Sequence, residues 1–294
     1  MSPKVTVGIC VRNCESYIKD AIDSTLNQDF PHEFMEVVFV DDGSEDNTLS
    51  IIKGYASKMD MKVKIFHHQW RGLGPSRNVI VNNACGKYII WVDGDMILPK
   101  KHVQKQVEFM EQDPKVGIGK AKYGIFREDS LVAFLENIPF VTYDSKADPL
   151  DLKFPGTGGA IYRVEAIRKI RGFDERLKGV GEDQDVAYRI KAAGWHIKRT
   201  PAYFYEKRVE SWHGLWRKYF WYGYGNCHLY RKNRSIFSLS RMNPIAGFVA
   251  GVLQIRDAYK LTHSKSIFLL PLHYAFKLTG WCCGFAKAQL SISL

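Results

Sequence analysis

The chain has 294 residues, 46% of them hydrophobic and 25% charged, a globular composition with enough apolar mass for a sizeable core, which excludes a disordered protein. Lys and Arg number 42 against 31 Asp and Glu, so the net charge of +11 points to anionic partners: phosphorylated ligands, anionic lipid or nucleic acid. No helix-turn-helix, zinc-finger or aromatic RNA-binding signature accompanies the charge, and nucleic acid is not the expected partner.

Met1 runs into the strand Val5–Val11 without a basic n-region or cleavage site, so the chain is expected on the cytoplasmic side. The strand is nearly all apolar, as a parallel strand covered on both faces requires. Asn13 and Ser16 are candidate caps for a helix whose apolar face is Tyr17, Ile18, Ala21, Ile22 and Leu26. A second buried strand, 37–40, ends in Asp41-Asp42-Gly43-Ser44, followed by a helix over 49–59 and a strand over 62–66. A turn-rich loop, Arg71 to Ser76, opens onto a helix over 77–84. The next apolar run, Tyr88-Ile89-Ile90-Trp91-Val92, ends in Asp93-Gly94-Asp95.

Alternation of strand and helix predicts a doubly wound α/β sheet, whose ligands sit at the carboxyl ends of its strands. Three such ends carry polar clusters: Arg12-Asn13, Asp41-Asp42 and Asp93-Asp95. If the strand continues, Asp93 and Asp95 point the same way and offer paired oxygens to a hard cation; an ordinary Asp-Gly turn is the alternative. A helix over 101–112 follows, then 116–152 reads as irregular. The glycine-rich loop at 154–159 precedes a strand over 160–163 and a helix over 164–170, and a tight turn explains it better than a phosphate cradle. Glu182, Asp183 and Asp185 open a helix over 186–193, either as dipole-compensating acids or with one of them as a general base. Cys10, Cys14, Cys85, Cys227, Cys282 and Cys283 show no metal or redox spacing and read as buried, reduced thiols.

In this order the residues resemble the family 2 glycosyltransferases of the GT-A fold, over residues 4 to 230. Four signatures carry the resemblance. They are the opening strand and helix through Leu26-Asn27-Gln28; Asp41-Asp42-Gly43-Ser44 with Asp46 and Thr48; Arg77-Asn78, Gly86-Lys87-Tyr88 and the D-x-D at Asp93-Gly94-Asp95; and Gly172-Phe173-Asp174-Glu175 with Glu182-Asp183.

The resemblance implies a mostly parallel central sheet with flanking helices and a nucleotide-sugar donor. Cys10, Arg12, Asp42, Arg77, Asp93 and Gly94 would bind that donor, with Asp42 on the base. Asp93 and Asp95 would hold Mg²⁺ or Mn²⁺ on the diphosphate, and Asp183 would be the base of a single inverting displacement. Gly158, Glu182, His213 and Arg217 are candidates on the acceptor side. Relatives often carry an aromatic two residues on from Cys10, where this chain has Arg12, a guanidinium that can stack or reach phosphate. No Q-x-x-R-W occurs, since Trp216-Arg217 has the wrong order, which favours single-sugar transfer over polymer synthesis.

The catalytic domain is expected over 1–235, with a nucleotide-sugar half at 1–100 and an acceptor half at 101–235. A C-terminal amphipathic helical region is expected over 236–294. Aromatics and cations interleave over 212–234, the chemistry of a membrane interface. In and just after the apolar segment 266–286, His273, Lys277, Gly280, Gly284 and Lys287 share one helix face opposite Leu269, Leu272, Phe276 and Trp281. That pattern favours a helix lying in the interface, ahead of one packed on a soluble domain and then of one that spans. A lipid-linked or other glycan acceptor at the cytoplasmic membrane face follows from it.

Overall fold

The computed structural model describes residues 3–126, 130–146, 152, 154–177 and 179–293. The chain separates into two compact units, Met1–Gly124 with Asp148–Glu206, and Ile125–Ala147 with Lys207–Leu294. The boundary placed at residue 235 by sequence falls inside the second.

In chain order the first unit holds β1 (Val5–Val11), α1 (Ile18–Leu26), β2 (Met35–Asp42), α2 (Thr48–Ala56), β3 (Lys62–His68), α3 (Leu73–Asn83), β4 (Tyr88–Asp93), β5 (Met96–Ile97), α4 (His102–Gln112) and β6 (Val116–Tyr123). After α5 (Leu131–Lys146) of the second unit come β7 (Ala160–Arg163), α6 (Val164–Lys169), α7 (Glu182–Ala192) and β8 (His196–Glu206). The eight strands run β3-β2-β1-β4-β7-β6-β8-β5. The first four are mutually parallel, β7 is antiparallel to β4 and β6, and β6 is parallel to β8. This is the α/β sheet that the alternation of elements predicted, mostly parallel with flanking helices as the resemblance implied. Val5, Val7, Ile9 and Val11 of β1 enter one apolar cluster and Cys10 another, so the sheet is covered on both faces and the unbroken apolar run is accounted for.

Several local expectations are corrected. The stretch 116–152 is not irregular where described, since β6 and α5 lie in it; its residues 127–129 and 147–151 are outside the described ones. The strand stops at Asp93 and the chain turns at Gly94-Asp95, so strand alternation does not align the two acids. α3 begins at Leu73, because Ser76 bonds back to the carbonyl of Gly72 and Pro75 is tolerated in a first turn that needs no donor. Asn13 does not cap α1. It has φ 50° and its side chain accepts from the N–H of Glu45, tying β1's end to the loop after β2. Tyr17 is exposed rather than part of the apolar face. All six cysteines are free, but Cys85 and Cys283 are exposed and only Cys10 and Cys227 fully buried.

The second unit packs α5 with α8 (Trp212–Lys232), α9 (Pro244–Thr262) and α10 (Leu270–Ser293). A side chain on Gly223 of α8 would strike the carbonyl of Trp281, and one on Gly284 of α10 that of Phe220, so these helices touch backbone to backbone. The polar stripe expected on the outside of α10 is its inside. His273 is 0% exposed and Lys277 5%, whereas Leu272, placed on the opposite face, is 61% exposed. Glu136 of α5 is the reason: it accepts from Lys277 Nζ at 3.1 Å and Tyr219 Oη at 2.8 Å, with His273 Nε2 at 3.5 Å. Burial alone would raise the Glu136 carboxyl, but Lys277, Lys218, His273 and Arg208 pull it down to about 2.

Glu136→Ala removes the carboxylate partner of a buried ammonium and is expected to cost about 3–5 kcal/mol in chemical denaturation. A carboxyl depressed in the folded state stabilises above its ordinary 4.5, and that contribution is lost as pH falls toward 2. The wild-type chain should therefore lose more stability across that window than the Glu136→Ala variant. Equal acid sensitivity would contradict the pairing.

Candidate active site

The parallel half of the sheet delivers its polar ends to one edge. Register places Cys10 beside Asp93, Val11 beside Asp41, and Asp42 beside His68. Carboxyl ends of parallel strands leave backbone and short polar side chains free to meet a ligand. Asp42, 4% exposed, is already engaged: it accepts from the N–H of Arg71 at 2.7 Å and of Gly72 at 2.9 Å. It thus fixes where α3 begins. Asp41 is held by Ser44 and by His67 Nδ1 at 2.7 Å.

Because α3 starts there, Arg77 lies buried beneath the edge, 4% exposed. Its guanidinium donates to Glu182 through Nη1 and to Asp93 Oδ1 through Nη2 at 3.4 Å, and it lies over the Phe173 ring at 5.7 Å. Burial opposes its charge, but Glu182, Asp93 and Asp183 together hold it firmly protonated.

The three acids opening α7 divide their work. Glu182 turns to Arg77 and Asp185 to Arg189 at 2.8 Å, while no side chain caps the helix at Gly181. Asp183 accepts from the N–H of Gln184 at 2.7 Å and stays partly accessible. Burial pushes the carboxyls of both Glu182 and Asp183 up, beyond what Arg77 restores. A proton acceptor needs that poise: an ordinary aspartate is too weak a base.

The glycine loop before β7 runs between these groups. A Cβ on Gly156 would lie 3.1 Å from Asp183 Oδ2, and one on Gly158 only 2.8 Å from Asp93 Oδ2. Lys120 of β6 donates to the carbonyls of Gly156 and Gly158 and so anchors the loop. Gly94 packs against Cys14, where a Cβ would meet its sulfur at 3.1 Å. Burial raises the Cys10 thiol strongly, which leaves it a neutral, small wall beside Arg77 and no nucleophile.

Asp93, beside the loop, is 39% exposed at its side chain, and Asp95 is partly exposed at the turn that follows it. Oxygen ligands in this number fit a Mg²⁺-like cation, which takes one or two carboxylates and completes its shell with water and phosphate. Among the described residues no group of three or more His, Cys, Asp and Glu side chains is arranged to hold a metal.

The structure therefore assembles Cys10, Arg77, Asp93, Gly94, Gly158, Glu182 and Asp183 within the first unit. Arg12 stands at the same edge, stacked on Trp70 at 5.6 Å and paired with Glu45 at 3.4 Å. His213 and Arg217 are exposed residues of α8 in the second unit. Trp70, Gly156 and Lys120 were missed. Trp70 closely follows β3 at the ligand edge, a position that could have singled it out; Gly156 lies in the glycine-rich loop at 154–159, and nothing local marks Lys120.

A profile of glycosyl transferase family 2 matches residues 6–171. The poly(ribitol-phosphate) beta-N-acetylglucosaminyltransferase TarS of Staphylococcus aureus is 35% identical over 109 residues, 37% of this chain and 19% of TarS, so the chain aligns with about a fifth of that relative's length. The probable glycosyltransferase YdaM of Bacillus subtilis is 27% identical over 291 residues, 94% of this chain and 68% of YdaM. Among solved structures, mannosyltransferase PcManGT from Pyrobaculum calidifontis, in complex with GDP-Man and Mn²⁺, superposes with a TM-score of 0.68 at 19% identity, covering 99% of this chain and 88% of that one. TarS in complex with UDP-GlcNAc superposes with a TM-score of 0.55 at 20% identity, covering 98% and 92%. The fold is GT-A, and with more than half its length matched the chain belongs to glycosyl transferase family 2.

Proposed function

We propose that this glycosyltransferase moves one sugar, with inversion, from a UDP- or GDP-sugar to a hydroxyl or phosphate of a lipid-linked acceptor at the cytoplasmic face of a membrane. The observation that carries the reading is the glycine loop lying against Asp93 on one side and Asp183 on the other, with Arg77 and Glu182 beneath. On this reading one carboxylate holds the donor and the other activates the acceptor. The nucleotide sugars in the PcManGT and TarS structures support both donor types.

Asp93 and Asp95 would hold Mg²⁺ or Mn²⁺, which when bound neutralises charge on the departing diphosphate. Arg77 keeps Asp93 aimed through its hydrogen bond, and Glu182 keeps Arg77 in place. Asp183 takes the proton of the acceptor hydroxyl as its oxygen attacks the anomeric carbon; the glycosidic bond forms as the bond to the nucleoside diphosphate breaks on the opposite side. A phosphate acceptor is already anionic and would need no such base. Arg12, stacked on Trp70, presents a flat cation where base or phosphate would lie. Lipid linkage of the acceptor is supported by the cations and apolar side chains that the second unit leaves exposed.

Asp183→Asn is expected to lower kcat by about 10²–10⁴ toward a hydroxyl acceptor while nucleotide-sugar binding persists in calorimetry. Because the Asp183 carboxyl is raised above 3.8, the base form is lost at a higher pH than for an ordinary aspartate. The acid limb of the pH–rate profile should lie correspondingly high and vanish in the Asn variant; unchanged turnover there removes the role. Asp95→Ala should abolish metal-dependent thermal stabilisation by the donor, and full stabilisation would refute the metal assignment. Gly158→Ala crowds the Asp93 carboxylate and, by displacing it, is expected to cost about 10²-fold in kcat/KM with the melting temperature nearly kept. A fully active Gly158→Ala enzyme would show that the loop does not position Asp93.

A further inference from the structure

We propose that α9 docks the chain on an anionic lipid monolayer by inserting Ile245, Phe248, Val249, Val252 and Leu253 among the acyl chains. The inference deepens the membrane-surface part of the function proposed above and does not depend on its donor chemistry.

The five residues recur at helical spacing and form one ridge, and all are exposed, Ile245 at 79% and Leu253 at 72%. The opposite face of α9 is small: Gly247, Gly251 and Ala258 are its buried residues. A Cβ on Gly251 would lie 2.5 Å from Pro271 Cα, and one on Gly247 3.0 Å from the Tyr274 carbonyl. The helix packs through its smallest residues and turns its largest outward, the reverse of a helix folded onto a water-soluble core. The patch continues past the helix end. Tyr259 meets the ring of Phe268 at 6.1 Å, and Phe268, Leu269 and Leu272 are exposed. So wide an apolar surface calls for an occupant.

Charge identifies it. Residues 207–294 contain 13 Lys and Arg against two acids, so the whole net charge of +11 resides there and residues 1–206 balance. Arg256 and Lys260 lie on α9 and Lys265 just beyond it, all exposed. Cations beside an apolar ridge suit a negatively charged bilayer surface, where the ridge enters the acyl region and the charges meet headgroups. A second copy would bring two strongly cationic surfaces face to face. Among the described residues no helix is long and apolar enough to cross a membrane, so insertion is to monolayer depth.

The full chain is mixed with vesicles of phosphatidylcholine alone or with phosphatidylglycerol added, then floated on a density gradient. Binding is expected to the anionic vesicles, weakening with salt. The pair Val252→Asp and Leu253→Asp should lower partitioning about tenfold or more, since charges resist burial in hydrocarbon, while donor-induced thermal stabilisation persists. Hydrogen exchange on the wild-type chain gives a second reading: residues 245–253 should gain protection when anionic vesicles are added. Absence of binding at low salt, equal flotation of the variant, or unchanged exchange in α9 would overturn the proposal. So would a concentration-dependent dimer lost in the variant without vesicle binding, which would assign the ridge to a second copy. Failure of flotation with intact donor binding would leave the transfer chemistry standing.

Discussion

Arg77 is the constraint on which the catalytic unit depends. Three carboxylates, Asp93, Glu182 and Asp183, surround it. Two like charges about 4 Å apart repel by about 4 kcal/mol at an effective dielectric of 20. One guanidinium buried among them answers that repulsion and fixes two of the three by direct hydrogen bonds. The arginine is in turn placed by Asp42, whose carboxylate receives the N–H groups of Arg71 and Gly72 just before α3 starts. A chain of contacts therefore runs from the end of β2 through α3 to the start of α7. An acid that looks from sequence like a ligand for substrate is also the group that sets the site's geometry.

Glycines do the complementary work. Gly156 and Gly158 bring backbone where any side chain would press on Asp183 or Asp93. The loop before β7 can then lie between the two acids only because Lys120 reaches its carbonyls from β6. The loop is a turn held by Lys120 against two carboxylates.

The parallel half of the sheet was legible because strands buried on both faces must be nearly all apolar, as Val5–Val11 and Tyr88 to Val92 are. β6 and β8 escaped that test. Lys120 and Arg199 interrupt them, cations that are buried nonetheless, and Lys120 owes its place to loop carbonyls and the faces of Tyr123 and Phe204. Pro139 likewise obscured α5. Of the site, residue types in order gave the acids and Arg77, whereas Trp70 and Gly156 gain meaning only from what folds against them. On α10 periodicity correctly grouped His273 with Lys277, but it could not say which face is inside. That was decided by Glu136, which lies 141 residues from Lys277 in the chain.

The segregation of charge separates two tasks that a basic protein is often assumed to combine. With a net charge of only +2 on the catalytic unit, its bulk field attracts a nucleoside diphosphate weakly. On the function proposed above, capture of that anion would fall to local chemistry: the acids at β4's end with the cation they would hold, and Arg12 over Trp70. The net positive charge belongs instead to the helices that also expose apolar side chains, and there it can act only on a surface large enough to feel it. On the proposed function, donor recognition would be specific and short-ranged, and attraction to the acceptor-bearing surface cationic and long-ranged. Salt should weaken the second more than the first, because charges acting across more than about 8–10 Å are screened and direct contacts are screened less.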